Sequence, residues 1–224
     1  ALLYASASSR LNEHRVTAVP LDGKLAAKGC KQAGLLIFTC TFSTIAAAYV
    51  LEAATMLLPE MPQEMKDKLE YLLNGMPLWA TFISVSVFAP FFEEWLCRGM
   101  ILRGLLSRMS PFAAITISSA FFAVIHLNPW QAIPAFILGL LFGFVYYKTG
   151  SLKLTMLMHC VNNTLAAILS RIPAFKDAES IIDVMNPWTY AGICLCCLVF
   201  IAATIVVLMG IRNGTSPTPR QELE

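Results

Sequence analysis

Six long apolar stretches, at 33–58, 77–106, 111–126, 130–147, 151–170 and 187–211, leave this chain little choice of solvent. Each is continuous rather than alternating, so they read as helices and not as the strands of a barrel. A helix rising about 1.5 Å per residue needs about 20 residues to cross a hydrocarbon core of about 30 Å. The first and last stretches meet that easily, and the third is short. The second is long enough to be two pieces joined at Ala89-Pro90. Composition agrees: 57% of residues are hydrophobic, 13% are charged and the mean hydropathy is +0.66 over 224 residues. Soluble domains do not sustain such values. The expected fold class is all-α: a polytopic helical membrane protein of about six transmembrane helices around a central polar cluster.

Between the spans, polarity and Pro or Gly mark the connections. Residues 1–32 read as a cytoplasmic or interfacial arm, 33–211 as a single helical membrane domain with its core at 77–170, and 212–224 as a polar tail. Residues 1–30 lack the layout of a cleaved export signal. With six spans, Arg10, Arg15, Lys24, Lys28, Lys31, Arg103, Arg108, Lys148, Lys153, Arg212 and Arg220 fall on the side of the termini, against Lys66, Lys68, Arg171 and Lys176 opposite. The positive-inside rule then places both termini in the cytoplasm. Six of the seven cysteines lie inside spans and no two C-x-x-C pairs are spaced as in a zinc site, so they read as small apolar residues rather than as a disulfide or metal framework.

Charged groups deep in a bilayer cost several kcal/mol each and so mark function by default. Glu52 sits near a span end and can reach the interface. Glu93 and Glu94 lie inside the strongly apolar run FISVSVFAPFFEEWLCRGMILRGLL. Arg98 follows Glu94 by one helical turn, where it can neutralise that carboxylate. Glu93 points about 100° further round the helix, so one arginine cannot easily serve both. The bland alternative is a purely structural ion-paired cluster; the sharper one leaves a carboxylate over for general-base work. His126 and His159 also lie in apolar runs, with Phe122 one turn before the first and Asn163 one turn after the second. A lone histidine in a span is more often a packing residue, but two histidines with a Glu pair shift the balance. His14 lies in the polar arm and reads as solvated.

Absences narrow the chemistry. All four aspartates lie outside the spans, which argues against an intramembrane aspartyl dyad. Neither H-E-x-x-H nor G-x-S-x-G occurs. Carboxylate, imidazole and amide remain, a set that fits a glutamate-activated water with or without a metal.

Glu93-Glu94-Trp95-Leu96-Cys97-Arg98 matches E-E-x-x-x-R, Phe122 to His126 matches F-x-x-x-H, and His159 to Asn163 matches H-x-x-x-N. In this order and spacing the chain resembles the CPBP family: CAAX prenyl proteases and bacteriocin-processing or Abi proteins. The likeness runs from Pro77 to about Asn163. It implies an intramembrane endopeptidase in which Glu93 and His126 activate water, His159 and Asn163 donate to the oxyanion, and Glu94 with Arg98 holds the cluster. No cofactor is expected on the metal-free form of that mechanism; a zinc held by Glu93, His126 and His159 is the alternative.

The implied partners are the lipid bilayer and a membrane-associated protein or peptide substrate, with room for an accessory membrane partner and no nucleic acid. The implied location is a multi-pass protein of a bacterial inner membrane. A non-catalytic scaffold, immunity factor or adaptor of the same fold is the rival function; a proton-coupled transporter is disfavoured by the lack of an internal repeat. One piece of arithmetic conflicts. Glu93 lies about 24 Å of helix from the outer side and His126 about 22 Å from the inner, depths that conflict unless the second span is tilted or broken, for which Pro90 offers a place, or the third is offset.

Overall fold

The computed structural model describes residues 30–55, 57–172 and 184–211. Those residues form seven helices and no strand: α1 (Cys30–Thr55), α2 (Gln63–Asn74), α3 (Leu78–Leu106), α4 (Pro111–Val124), α5 (Pro129–Thr149), α6 (Leu152–Leu169) and α7 (Pro187–Met209). Five of them (α1, α3, α5, α6 and α7) are long and apolar enough to cross a membrane. The shorter α4 is the third apolar stretch. α1 begins at Cys30, a turn earlier than the composition shift at Ala33; the rest of the arm and the tail lie outside the described residues.

The helix starts follow from their sequence. Pro111, Pro129 and Pro187 open α4, α5 and α7, where a missing N–H costs nothing. The preceding Ser110, Asn128 and Asn186 accept hydrogen bonds from the N–H groups of Ala113, Gln131 and Trp188, and Ser151 caps α6 through Leu154. α5 stops at Gly150, whose φ of 69° is left-handed and whose N–H returns to the Tyr146 carbonyl. Such caps matter more than usual here, because a helix end near lipid has little water to satisfy its free N–H groups.

The second apolar stretch is one continuous helix, not two pieces. α3 is π-wound over Phe82–Phe88 and Trp95–Leu102, with an α-helical segment Ala89–Glu94 between. Pro90 does not break it: it falls at the junction of the π-wound and α-helical segments, and the Val85 carbonyl that its missing N–H would have met in the π register accepts from Asn163 of α6 instead.

Packing around the centre depends on small residues. Gly139 and Gly143 stand one turn apart on α5 and back onto α4. A Cβ added at Gly139 would come 3.0 Å from the Ser119 Cβ and 3.2 Å from its Cα; at Gly143 it would come 3.0 Å from Ile115 Cγ2. This is the close approach that small-x-x-x-small spacing permits between membrane helices. Where α1, α5, α6 and α7 meet, Leu36, Cys40, Phe142, Met158 and Leu208 are buried together. α7 is fastened to α1 by Ser43 to Thr204 at 2.9 Å and by Tyr190 to the Tyr49 carbonyl at 3.0 Å. Its outer face, with Leu195, Val199 and Val206 exposed, suits lipid. α2 buries nothing of its own, and the hydrogen bond and charge of Lys68 hold the exposed Glu64 carboxyl below the usual carboxylate range. At the same end of the bundle, Arg171 reaches the carbonyls of Ala167 and Met76 and the Thr81 hydroxyl, which straps the end of α6 to the start of α3.

Gly139→Ala should therefore destabilise the protein by about 1–3 kcal/mol, because the added methyl meets the α4 backbone at Ser119 and not a flexible side-chain tip. Gly104→Ala, where a Cβ meets nothing within 4 Å, should leave stability unchanged or raise it. Thermal unfolding in detergent measures both; an unchanged melt for Gly139→Ala would contradict the α4–α5 contact.

Candidate active site

The polar centre is built on four helices. From α3, Glu94 and Arg98 are both fully buried and joined by a hydrogen bond from Arg98 Nη1 to Glu94 Oε1 at 2.7 Å. Arg98 Nη2 donates to the Gly139 carbonyl of α5 at 3.0 Å. The guanidinium lies over the Phe122 ring of α4 at 4.6 Å and near the Phe142 ring of α5 at 5.4 Å. Sequence spacing pointed to the Glu94–Arg98 pair. It did not point to Gly139 or Phe142, although the Gly139-x-x-x-Gly143 spacing was there to mark a place where backbone comes close.

His159 of α6 stands between the two glutamates. Its Nδ1 is 3.1 Å from Glu94 Oε1 and its Nε2 is 3.7 Å from Glu93 Oε2. A carboxylate paired with arginine can only accept, so Nδ1 carries the proton and donates it to Glu94. Glu93 keeps partial exposure, 27% of its side chain, and its buried Oε2 has no hydrogen-bond partner among the described residues. Glu94 Oε2 is also without a partner among the described residues, so the two adjacent carboxylates differ in setting: Glu94 is fully buried and bound through Oε1 to Arg98 and His159, and Glu93 is part-exposed with no arginine partner.

His126 lies just past α4. Its Nδ1 is 2.8 Å from the Phe122 carbonyl, which can only accept, so Nε2 is left with its lone pair in the neutral ring. Phe122 stands edge-on to both imidazoles, with ring centroids 5.2 Å from His126 and 5.4 Å from His159. His126 therefore joins the cluster through Phe122, one turn further toward the α4–α5 connection. Leu127, next in the chain, holds a left-handed φ of 56° and lets the backbone turn sharply into Asn128. The depth conflict eases because Arg98 meets Gly139 at the middle of α5, with Phe122 at that level and His126 a turn beyond.

Asn163 comes one turn after His159 on α6. Its Nδ2 donates to the Val85 carbonyl at 2.9 Å, and its Oδ1 accepts from Asn162 at 3.2 Å. One Nδ2 hydrogen remains uncommitted by these bonds. Beside this bond, Leu78, Trp79, Phe82, Ser86, Thr164, Ala167 and Ile168 line an apolar cavity of about 500 Å³. The buried Ser86 hydroxyl lines it without a hydrogen-bond partner among the described residues.

Among the described residues no three His, Cys, Asp or Glu side chains are grouped as a metal's ligands. All seven cysteines are free thiols.

Residues 75–165 match the family model described as type II CAAX prenyl endopeptidase Rce1-like. Over that segment the chain is similar to the CAAX-protease family. The match spans Glu93, Glu94, Arg98, His126, His159 and Asn163, and by its description the family is one of endopeptidases. No curated protein and no solved structure matches the chain. With five helices long and apolar enough to span, the chain is a multi-pass membrane protein.

The buried pair yields a stability test. Arg98→Met should cost about 3–5 kcal/mol, because it strands the Glu94 carboxylate in an apolar site. Adding Glu94→Leu should recover most of that loss by removing the stranded charge. Chemical denaturation in mixed micelles reads both; a double variant as unstable as the single one would mean the charge is not the cause.

Proposed function

We propose that this protein is a CAAX-protease-like endopeptidase that cleaves a membrane-associated protein or peptide with a water activated by Glu93. The observation that carries this is the contrast between the glutamates. Glu94 is fully buried and held through Oε1 by Arg98 and His159, whereas Glu93 has no arginine partner, keeps 27% of its side chain exposed and sets Oε2 3.7 Å from His159 Nε2. A water beside Glu93 meets a carboxylate able to take its proton. The Nε2 lone pair of His126, left over when Nδ1 bonds the Phe122 carbonyl, would serve as a second acceptor for that water.

In the step proposed, the water oxygen attacks the scissile carbonyl carbon as its proton passes to Glu93. The carbonyl π electrons move onto oxygen. His159, given a proton on Nε2 in addition to the Nδ1 proton held by Glu94, would donate to that oxyanion together with the remaining amide hydrogen of Asn163. Donors fixed in advance where charge develops are worth a few kcal/mol each in a dry site. Collapse breaks the C–N bond, and Glu93 returns its proton to the departing amine. Glu94 does not touch substrate in this scheme; it fixes the orientation of the His159 ring. The apolar cavity beside Asn163 fits the flank of a membrane-embedded segment, which supports a membrane-associated substrate over a soluble one.

Glu93→Gln and His126→Ala should each abolish cleavage while the protein stays folded in detergent. Peptidomics of membranes carrying the wild type or the Glu93 variant identifies the products, and their persistence with either variant would sink the mechanism. In the metal-free form we favour, active purified protein holds no stoichiometric zinc and keeps cleaving with a chelator present. A scaffold of the same fold would give no Glu93-dependent peptides at all.

The Lys and Arg bias further supports cytoplasmic termini. Alkaline phosphatase fused after Glu224 should then be inactive, and fused within 171–186 active; the reverse pattern would invert the orientation.

A further inference from the structure

The Val85 carbonyl that holds Asn163 is open for a reason written into α3. Over Phe82–Phe88 the helix is π-wound, and the N–H of Ala89 bonds the Ser84 carbonyl five residues back. The next bond in that register would run from residue 90 to Val85. Residue 90 is a proline, buried, with no N–H to give. A carbonyl left bare in a membrane interior costs as much as a lost hydrogen bond and has no water to turn to. The donor that meets it comes from another helix, the Asn163 amide at 2.9 Å.

We infer that Pro90 is a positioning residue for Asn163: by withholding its N–H it keeps the Val85 carbonyl free to anchor the side-chain amide beside the reacting atoms. The amide is held at both ends, because its oxygen accepts from Asn162 while one nitrogen hydrogen goes to Val85. Its second hydrogen then has a fixed direction and no intrahelical competitor. Pro90 stands three residues before Glu93, so the residue that sets the amide is on the same helix as the base. An alanine at 90 keeps the apolar character of the site but supplies the missing donor. The carbonyl is then satisfied within α3, and the drive to hold Asn163 is gone.

This inference rests on the oxyanion role proposed for Asn163, and its test separates the two. The full-length protein is labelled with ¹⁵N-asparagine in detergent, and the Asn163 side-chain signal is assigned with Asn163→Asp. The same variants are reconstituted in vesicles, where the rate at which Glu93-dependent peptides accumulate is followed. Pro90→Ala should shift the Asn163 amide signal and slow accumulation about tenfold or more, as expected for a misdirected oxyanion donor. Its melt should not fall, since a helix interior gains a hydrogen bond.

Pro134→Ala, an internal proline of α5, should change neither readout. An Asn163 signal identical to wild type in Pro90→Ala overturns the inference whatever the activity. So does a shifted signal with undiminished accumulation, or an equal loss in Pro134→Ala. If Asn163→Ala itself cleaves normally, the oxyanion role fails, while a shifted amide signal in Pro90→Ala still supports the structural link.

Discussion

A guanidinium with no route to water organises the centre of this protein. Arg98 is fully buried, and everything within reach of it is positioned by that fact. Taking an ion out of water costs several kcal/mol. Against this stand two hydrogen bonds of the charge-assisted kind, about 1.5–3 kcal/mol each, and ring faces worth about 2 kcal/mol when desolvated. These terms nearly offset, so the pair adds little net stability. What it adds is register. Glu94 binds it from α3, Phe122 from α4, the Gly139 carbonyl and Phe142 from α5, and His159 from α6 through Glu94. Gly139 has to be glycine for α4 to come close enough to bring Phe122 over the charge.

The same fixation separates two neighbouring glutamates chemically. Glu94 faces the arginine and spends its charge there, and so it can orient His159 Nδ1 without itself being available to a water. Glu93, one residue earlier and about 100° round the helix, has no arginine partner and keeps part of its surface exposed. Hydrogen bonds to Glu94 and to the Phe122 carbonyl set both histidines with Nδ1 protonated, so both Nε2 atoms are the ones left to do chemistry. That is the logic by which second partners choose a histidine's working nitrogen.

Most of the framework was legible in the sequence because its determinants are local. Span length, Ser-Pro and Asn-Pro starts, and the Gly150 stop need only a few adjacent residues. The i,i+4 spacing of Glu94 and Arg98 is likewise a property of one helix. What the sequence hid depends on backbone atoms and on other helices. Pro90 suggested a break, but it falls where π winding gives way to α-helix and Asn163 meets the carbonyl it leaves open, so α3 continues. The spacing of His126 from Phe122 could not reveal that the Phe122 ring lies between the two imidazoles, nor that His159 is the histidine placed between the carboxylates. Asn163 bonds a carbonyl, and carbonyls are the same in every residue, so no letter at position 85 could announce it.

The winding of α3 and its pair of glutamates belong to one feature. A π stretch alters which carbonyls find a partner within their own helix, a liability where no water is at hand. Here carbonyls from both π stretches are met by side chains of neighbouring helices: Val85 by Asn163 of α6, and Cys97 by the Ser118 hydroxyl of α4 at 2.7 Å. The two stretches flank the segment that carries Glu93 and Glu94. Helix α3 is therefore stitched to its neighbours immediately before and after its carboxylates, by polar contacts whose geometry tolerates little slack. A uniformly α-wound span would satisfy its own backbone and could slide or rotate against the others at low cost. The irregular winding removes that freedom where a misplacement of about 1 Å would be most costly to catalysis.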